Sequence, residues 1–185
     1  MYDILVKYNQ QWSNMEIICF LILLFITSIV LSILIGFRKI NLRQAIAVVF
    51  LYVFMVIVFE ATVFSREPVG YSGYRSELFW SWRLAANGET KYIEYIVLNM
   101  ILLMPVGMLL PFVFNNITAI YKSIIAGLVI SFAIEEMQLY TGRGIFEYDD
   151  IFSNTLGCVL GTILINILWF MVRHITRLCD RKVRS

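Results

Sequence analysis

The sequence predicts an all-α integral membrane bundle of five transmembrane helices, with an aromatic-rich outer loop between helices two and three. Three observations predict it. Apolar residues are 60% of the 185 and charged residues only 15%, against roughly 45–50% and 25% in soluble domains. Mean hydropathy is +0.79. Five apolar runs also approach the roughly 20 residues that a helix needs to cross a bilayer. One domain, residues 1–185, accommodates them all.

The first helix is expected over residues 17–37, which carry no charge. That run exceeds a signal-peptide core and no A-x-A site follows it, so it is expected to remain as a membrane helix. The second, 45–64, holds one acid, Glu60. The third, 95–114, is charge-free but contains Asn99, Pro105, Gly107 and Pro111. It is expected to be the least regular, because proline removes a backbone donor and kinks a helix. The fourth, 117–138, has Lys122 near its start and Glu135, Glu136 and Gln138 at its end. The fifth, 150–173, contains Asn154, Gly157 and Gly161.

Composition excludes several chemistries. The formal net charge of +2 is too small for a nucleic-acid binder. Three cysteines without a CxxC pair imply neither a zinc site nor a disulfide framework. The single histidine, His174, stands in the basic tail and no HExxH occurs. No cofactor is expected. Lysine and arginine set the orientation. Arg38, Lys39, Arg43, Lys122, Arg173, Arg177, Arg181, Lys182 and Arg184 fall on one side. Lys7, Arg66, Arg75, Arg83, Lys91 and Arg143 fall on the other. The bias puts the N-terminus outside and the C-terminus in the cytoplasm.

With that topology the membrane-embedded polar residues gather at the outer face. Glu135 and Gln138 share a helix face, three residues apart. Asp150, Asn154, Gly157 and Gly161 form one stripe on helix five. Gly157 and Gly161 are a small-xxx-small pair that lets another helix backbone approach. The acids above them open into a polar notch, which the apolar core of 65–94 covers. Plainer readings stand beside these. Glu60 fits a snorkelling acid or a partner of Arg66. Asp149 and Asp150 fit acids favoured by a helix N-terminus. Trp80, Trp82, Tyr92 and Tyr95 fit an interfacial aromatic belt.

These residues, in this order, resemble the VanZ-like family of bacterial membrane proteins over about residues 60–172. The resemblance rests on Phe64-Ser65-Arg66, on Asn99 with Met104-Pro105-Val106-Gly107 and Leu110-Pro111, and on Glu135 with Gln138. It continues through Gly142-Arg143-Gly144-Ile145-Phe146 to Asp150, Asn154, Gly157 and Gly161. At Glu77-Leu78-Phe79-Trp80 the chain departs from the family's Asn-Leu-x-Pro-Phe stretch. The resemblance implies a bacterial inner-membrane location and a role in resistance to the glycopeptide antibiotic teicoplanin.

Three functions fit the residues. In the first, a cell-envelope protein binds a lipid-linked wall precursor or membrane lipid headgroup at the outer leaflet. Arg66 and Arg143 contact phosphate or carboxylate, and Asn99, Gln138 and Asn154 line the notch. In the second, an integral-membrane enzyme uses Glu135 and Asp150 as acid and base or as oxygen ligands of a hard cation. In the third, the acids serve a small solute or ion transporter.

Overall fold

The computed structural model describes residues 13–68 and 73–183, with side chains to Thr176. Lys7, Arg184 and the side chains of Arg177, Cys179, Asp180, Arg181 and Lys182 lie outside the described residues. The elements in chain order are α1 (Asn14–Gly36), α2 (Leu42–Phe59) running into a π-helical segment (Glu60–Phe64), β1 (Tyr74–Arg75), α3 (Trp80–Ala86), α4 (Thr90–Val113), α5 (Ile120–Tyr140), β2 (Phe146–Glu147) and α6 (Tyr148–Val183). The fold is all-α apart from the two-residue parallel pairing of β1 with β2.

Among the described residues, four helices are long and apolar enough to cross a membrane: Asn14–Gly36, Leu42–Phe64, Thr90–Val113 and Tyr148–Thr176. The expected fourth span forms as α5. It carries Lys122, Glu135 and Glu136 and is not among those four. The segment between α2 and α4 is more than a loop, since it contains β1 and α3.

Local sequence explains where the helices start and stop. Ser13 with Glu16, and Asn41 with Gln44, form capping boxes at α1 and α2, each satisfying two otherwise orphan backbone donors. Gly142, at φ +66°, follows the end of α5. Arg143 N then returns to Gln138 O at 2.9 Å, the closure that a left-handed residue after a helix permits. The third expected helix is continuous from Thr90 to Val113 despite Pro105 and Pro111. Pro111 cannot donate to the carbonyl four residues back, that of Gly107. Thr162 Oγ1 donates to Gly107 O at 2.8 Å instead, which is how a neighbouring helix re-satisfies a freed group in a membrane.

The core is three helices in mutual contact. α6 lies parallel to α4, as the pairs Asn99–Asp150, Gly157–Met100 and Gly161–Met104 establish. A Cβ on Gly157 would overlap the Met100 carbonyl, and one on Gly161 the Met104 carbonyl. Gly107 reciprocates, facing the Cys158 carbonyl. α5 runs antiparallel to α6. Asn154 bonds Ser131, Ser123 bonds Thr162, and Asn166 bonds the Thr118 backbone. α2 covers α4 and α1 packs on α2 at the periphery, with Tyr52 donating to Phe20 O at 2.9 Å. One end of this bundle collects the π segment, the two short strands, α3 and the first turn of α6. That end holds the buried acids Glu135 and Asp149 and the half-buried Glu147 and Asp150.

Candidate functional site

Three acids meet where α4, α5 and α6 converge. Glu135, on α5, is 1% exposed. Its Oε2 accepts the Glu147 backbone N–H at 2.9 Å. Asp150, in the first turn of α6, is partly buried. Its Oδ1 accepts both Tyr95 Oη at 2.5 Å and Asn99 Nδ2 at 2.8 Å. Tyr95 and Asn99 are four residues apart, so one face of α4 presents both donors. Glu147 Oε2 takes a further bond from Tyr95 Oη at 3.3 Å, and its Oε1 meets Arg75 Nη1 at 3.3 Å. Burial pushes the Glu147 carboxyl upward, opposed by the Arg75 charge and the Tyr95 hydroxyl. Glu135 and Asp150 lie within Coulombic reach of each other and of Arg66. Arg66 is exposed and makes no ion pair under 4.0 Å among the described residues.

The free valences are specific. Both hydrogen bonds to Asp150 enter one oxygen, and the bond to Glu135 enters one oxygen. Asp150 Oδ2 and Glu135 Oε1 accept none among the described residues. Asn154 Oδ1 is buried without a partner among the described residues, its amide nitrogen being spent on Ser131 Oγ at 2.8 Å. A buried, partly satisfied polar group is costly unless something else completes it.

Other residues singled out in the sequence build the frame. Gln138 Nε2 donates to Thr62 O at 3.0 Å. Arg143 Nη1 donates to Val63 O at 3.2 Å and Phe64 O at 2.6 Å. Together they tie the carbonyls of the π segment to the end of α5 and fix the chain just before Arg66. Arg143 is thus engaged with backbone, unlike Arg66. Glu60 accepts Ser65 Oγ at 3.1 Å, and the expected alternative of pairing with Arg66 is not found among the described residues. Asn154 shares the stripe of Asp150 but bonds α5 through Ser131.

Three residues at this site escaped the sequence reading. Asp149, read as a helix-start acid, is fully buried and accepts Ser81 N at 2.9 Å, Ser81 Oγ at 2.7 Å and the Phe79 backbone N–H. It holds Phe79 at φ 62°, a conformation unfavourable for a bulky residue, and so pins α3 against the bundle. Tyr95 fits an aromatic belt by sequence, though its spacing from Asn99 puts it on the polar face. Glu147 carried no local signal, because its role depends on the β1–β2 pairing.

Among the described residues, no group of three or more His, Cys, Asp or Glu side chains is arranged to hold a metal ion. A family model, VanZ/LLP1, matches residues 46–170. The chain belongs to the VanZ/LLP1 family. The matched region runs from α2 to α6, so it contains every acid and amide of the site and leaves out α1. No curated protein and no solved structure matches the chain. The VanZ/LLP1 assignment and four membrane-length apolar helices make this a VanZ-type membrane protein.

Proposed function

We propose that the chain is a multi-pass protein of the bacterial inner membrane that binds or modifies the headgroup of a lipid-linked ligand at the outer leaflet. One observation carries the reading: among the described residues Glu135 and Asp150 each have one oxygen held by the protein and one that accepts no hydrogen bond, and Arg66, whose charge acts on both, makes no ion pair. The open oxygens suit hydroxyl or amine donors, and a guanidinium suits a phosphate. A lipid-linked cell-wall precursor carries both kinds of group. In this reading α5 also crosses the bilayer. Its 21 residues extend about 31 Å at 1.5 Å per residue, close to the hydrocarbon thickness. Five crossings then put the N-terminus and the site outside and the C-terminus in the cytoplasm. Through its ligand the protein contributes to teicoplanin resistance.

An enzymatic reading uses the same atoms. Asp150, oriented by Tyr95 and Asn99, and Glu135, oriented by the Glu147 backbone, can act as acid and base on the bound headgroup. The hard-cation version has two carboxylates to offer among the described residues, since Glu147 is engaged by Arg75 and Tyr95. A transporter is disfavoured, because the acids sit at one end of the bundle. Expression in a teicoplanin-susceptible bacterium tests the proposal. Glu135→Gln and Asp150→Asn are expected to abolish protection while protein level is maintained. Protein level falling in step with protection would instead make the cluster a structural clasp.

A further inference from the structure

Beside the site, α1 and α2 diverge around an apolar cavity of about 540 Å³ lined along α1 by Met15 to Leu23 and along α2 by Tyr52 to Phe64. We propose that this cavity seats the hydrocarbon tail of a single-chain, polyprenyl-type lipid phosphate whose phosphate meets Arg66. The proposal rests on the headgroup reading above and names its ligand class.

Five features support that occupant. Both walls are helices of membrane-spanning length and hydropathy, so the medium that fills the cavity is hydrocarbon. The lining stretches of α1 and α2 extend about 12 and 18 Å at 1.5 Å per residue, matching one leaflet of a roughly 30 Å core. The lining is apolar except at Glu16 and Glu60, which lie at the site end. Both are engaged, Glu16 with the Ser13 backbone N–H and Glu60 with Ser65 Oγ. The chain then leads from Phe64 in the cavity wall to Ser65 and Arg66, whose charge reaches Glu135 and Asp150. A tail lying in the cavity therefore brings its phosphate to the exposed cation, with its next group on the side of the half-buried Asp150 carboxylate. The lining comes from one pair of helices, and Phe20 of α1 stacks on Tyr52 of α2 with centroids 5.4 Å apart, so the two walls meet there and bound one slot. One slot accepts one chain, which favours a polyprenyl phosphate over a diacyl phospholipid.

Cys19 lines the cavity and is exposed, and Cys158 is buried. In the full-length Cys179→Ser protein in detergent, alkylation of Cys19 by N-ethylmaleimide reports occupancy. A polyprenyl phosphate is expected to slow alkylation about tenfold, equivalent to roughly 1.4 kcal/mol, and equimolar diacyl phosphatidylglycerol is expected to leave it unchanged. The parent polyprenol should protect more weakly, and Arg66→Ala should erase the difference between alcohol and phosphate. Native mass spectrometry of Val56→Trp and Leu23→Trp, two independent ways of filling the slot, should show no polyprenyl phosphate adduct. Absent protection, or equal protection by phosphatidylglycerol, overturns the proposal. The headgroup reading fails separately, through inert Glu135→Gln and Asp150→Asn in the growth assay.

Discussion

Asp150 and Asp149 are adjacent yet have opposite duties. Asp149 is saturated by three donors from Phe79 and Ser81, whereas Asp150 keeps one oxygen open. Removing Asp149 should therefore free α3 and leave the helices standing. In Asp149→Ala, hydrogen exchange should rise over residues 79–86 while α4 and α6 stay protected. Unchanged exchange at 79–86 would refute the anchoring role. Tyr95→Phe deletes a charge-assisted bond, an interaction of about 1.5–3 kcal/mol. It should lower the melting temperature in detergent, and far less so when Asp150 is already Asn; additive losses would uncouple the pair. Glu147 supplies a pH test. Its ordinary value is 4.5 and burial raises it in the folded protein. The folded state thus holds this proton more tightly, and stability falls as pH rises from that ordinary value through the folded one. Glu147→Gln should flatten this decline, and an identical pH profile in the variant contradicts it. Asp149 also marks the limit of sequence reading at this scale. A helix-start acid and a buried anchor share one local pattern, and only the tertiary approach of Phe79 and Ser81 separates them.

At the scale of elements, the contact between α4 and α6 depends on residues without side chains. A Cβ at Gly157 or Gly161 would overlap a carbonyl of α4, and a leucine needs far more room. Gly161→Leu should lower yield and melting temperature, with a stability loss of about 1–3 kcal/mol or more, as forced overpacking costs. Leu164→Phe, at a residue 40% exposed, should be nearly neutral. Equal melting temperatures for the two variants would remove the packing argument. This contact was legible in the sequence because the four-residue spacing of glycines has one common use in membrane helices. The regularity of α4 was not legible. Pro111 reads as a break until Thr162, fifty-one residues later, is seen to satisfy the carbonyl it frees. The strand pairing and α3 were hidden for the same reason. Each is only a few residues long and is stabilised by partners distant in the chain.

Across the whole molecule, the buried and half-buried acids of the site share one end. Glu135, Asp150, Asn99, Gln138 and Asn154 were all visible as amides and acids inside apolar runs, because a polar group at membrane depth demands a partner. Tyr95, Glu147 and the open cavity beside α1 were not visible, since they arise from how elements approach one another. The proposed orientation predicts that Lys182→Cys is unlabelled by an impermeant maleimide on intact cells, and labelling there would reverse the topology. The central claim is that Glu135 and Asp150 hold acceptor oxygens open for a lipid headgroup. Native mass spectrometry of the full-length protein extracted from a bacterial membrane tests it most directly, comparing wild type with the Glu135→Gln/Asp150→Asn double variant. Wild type is expected to carry a lipid adduct that the variant loses while still melting cooperatively. The same adduct on both proteins, or an adduct lost only together with the fold, would contradict it.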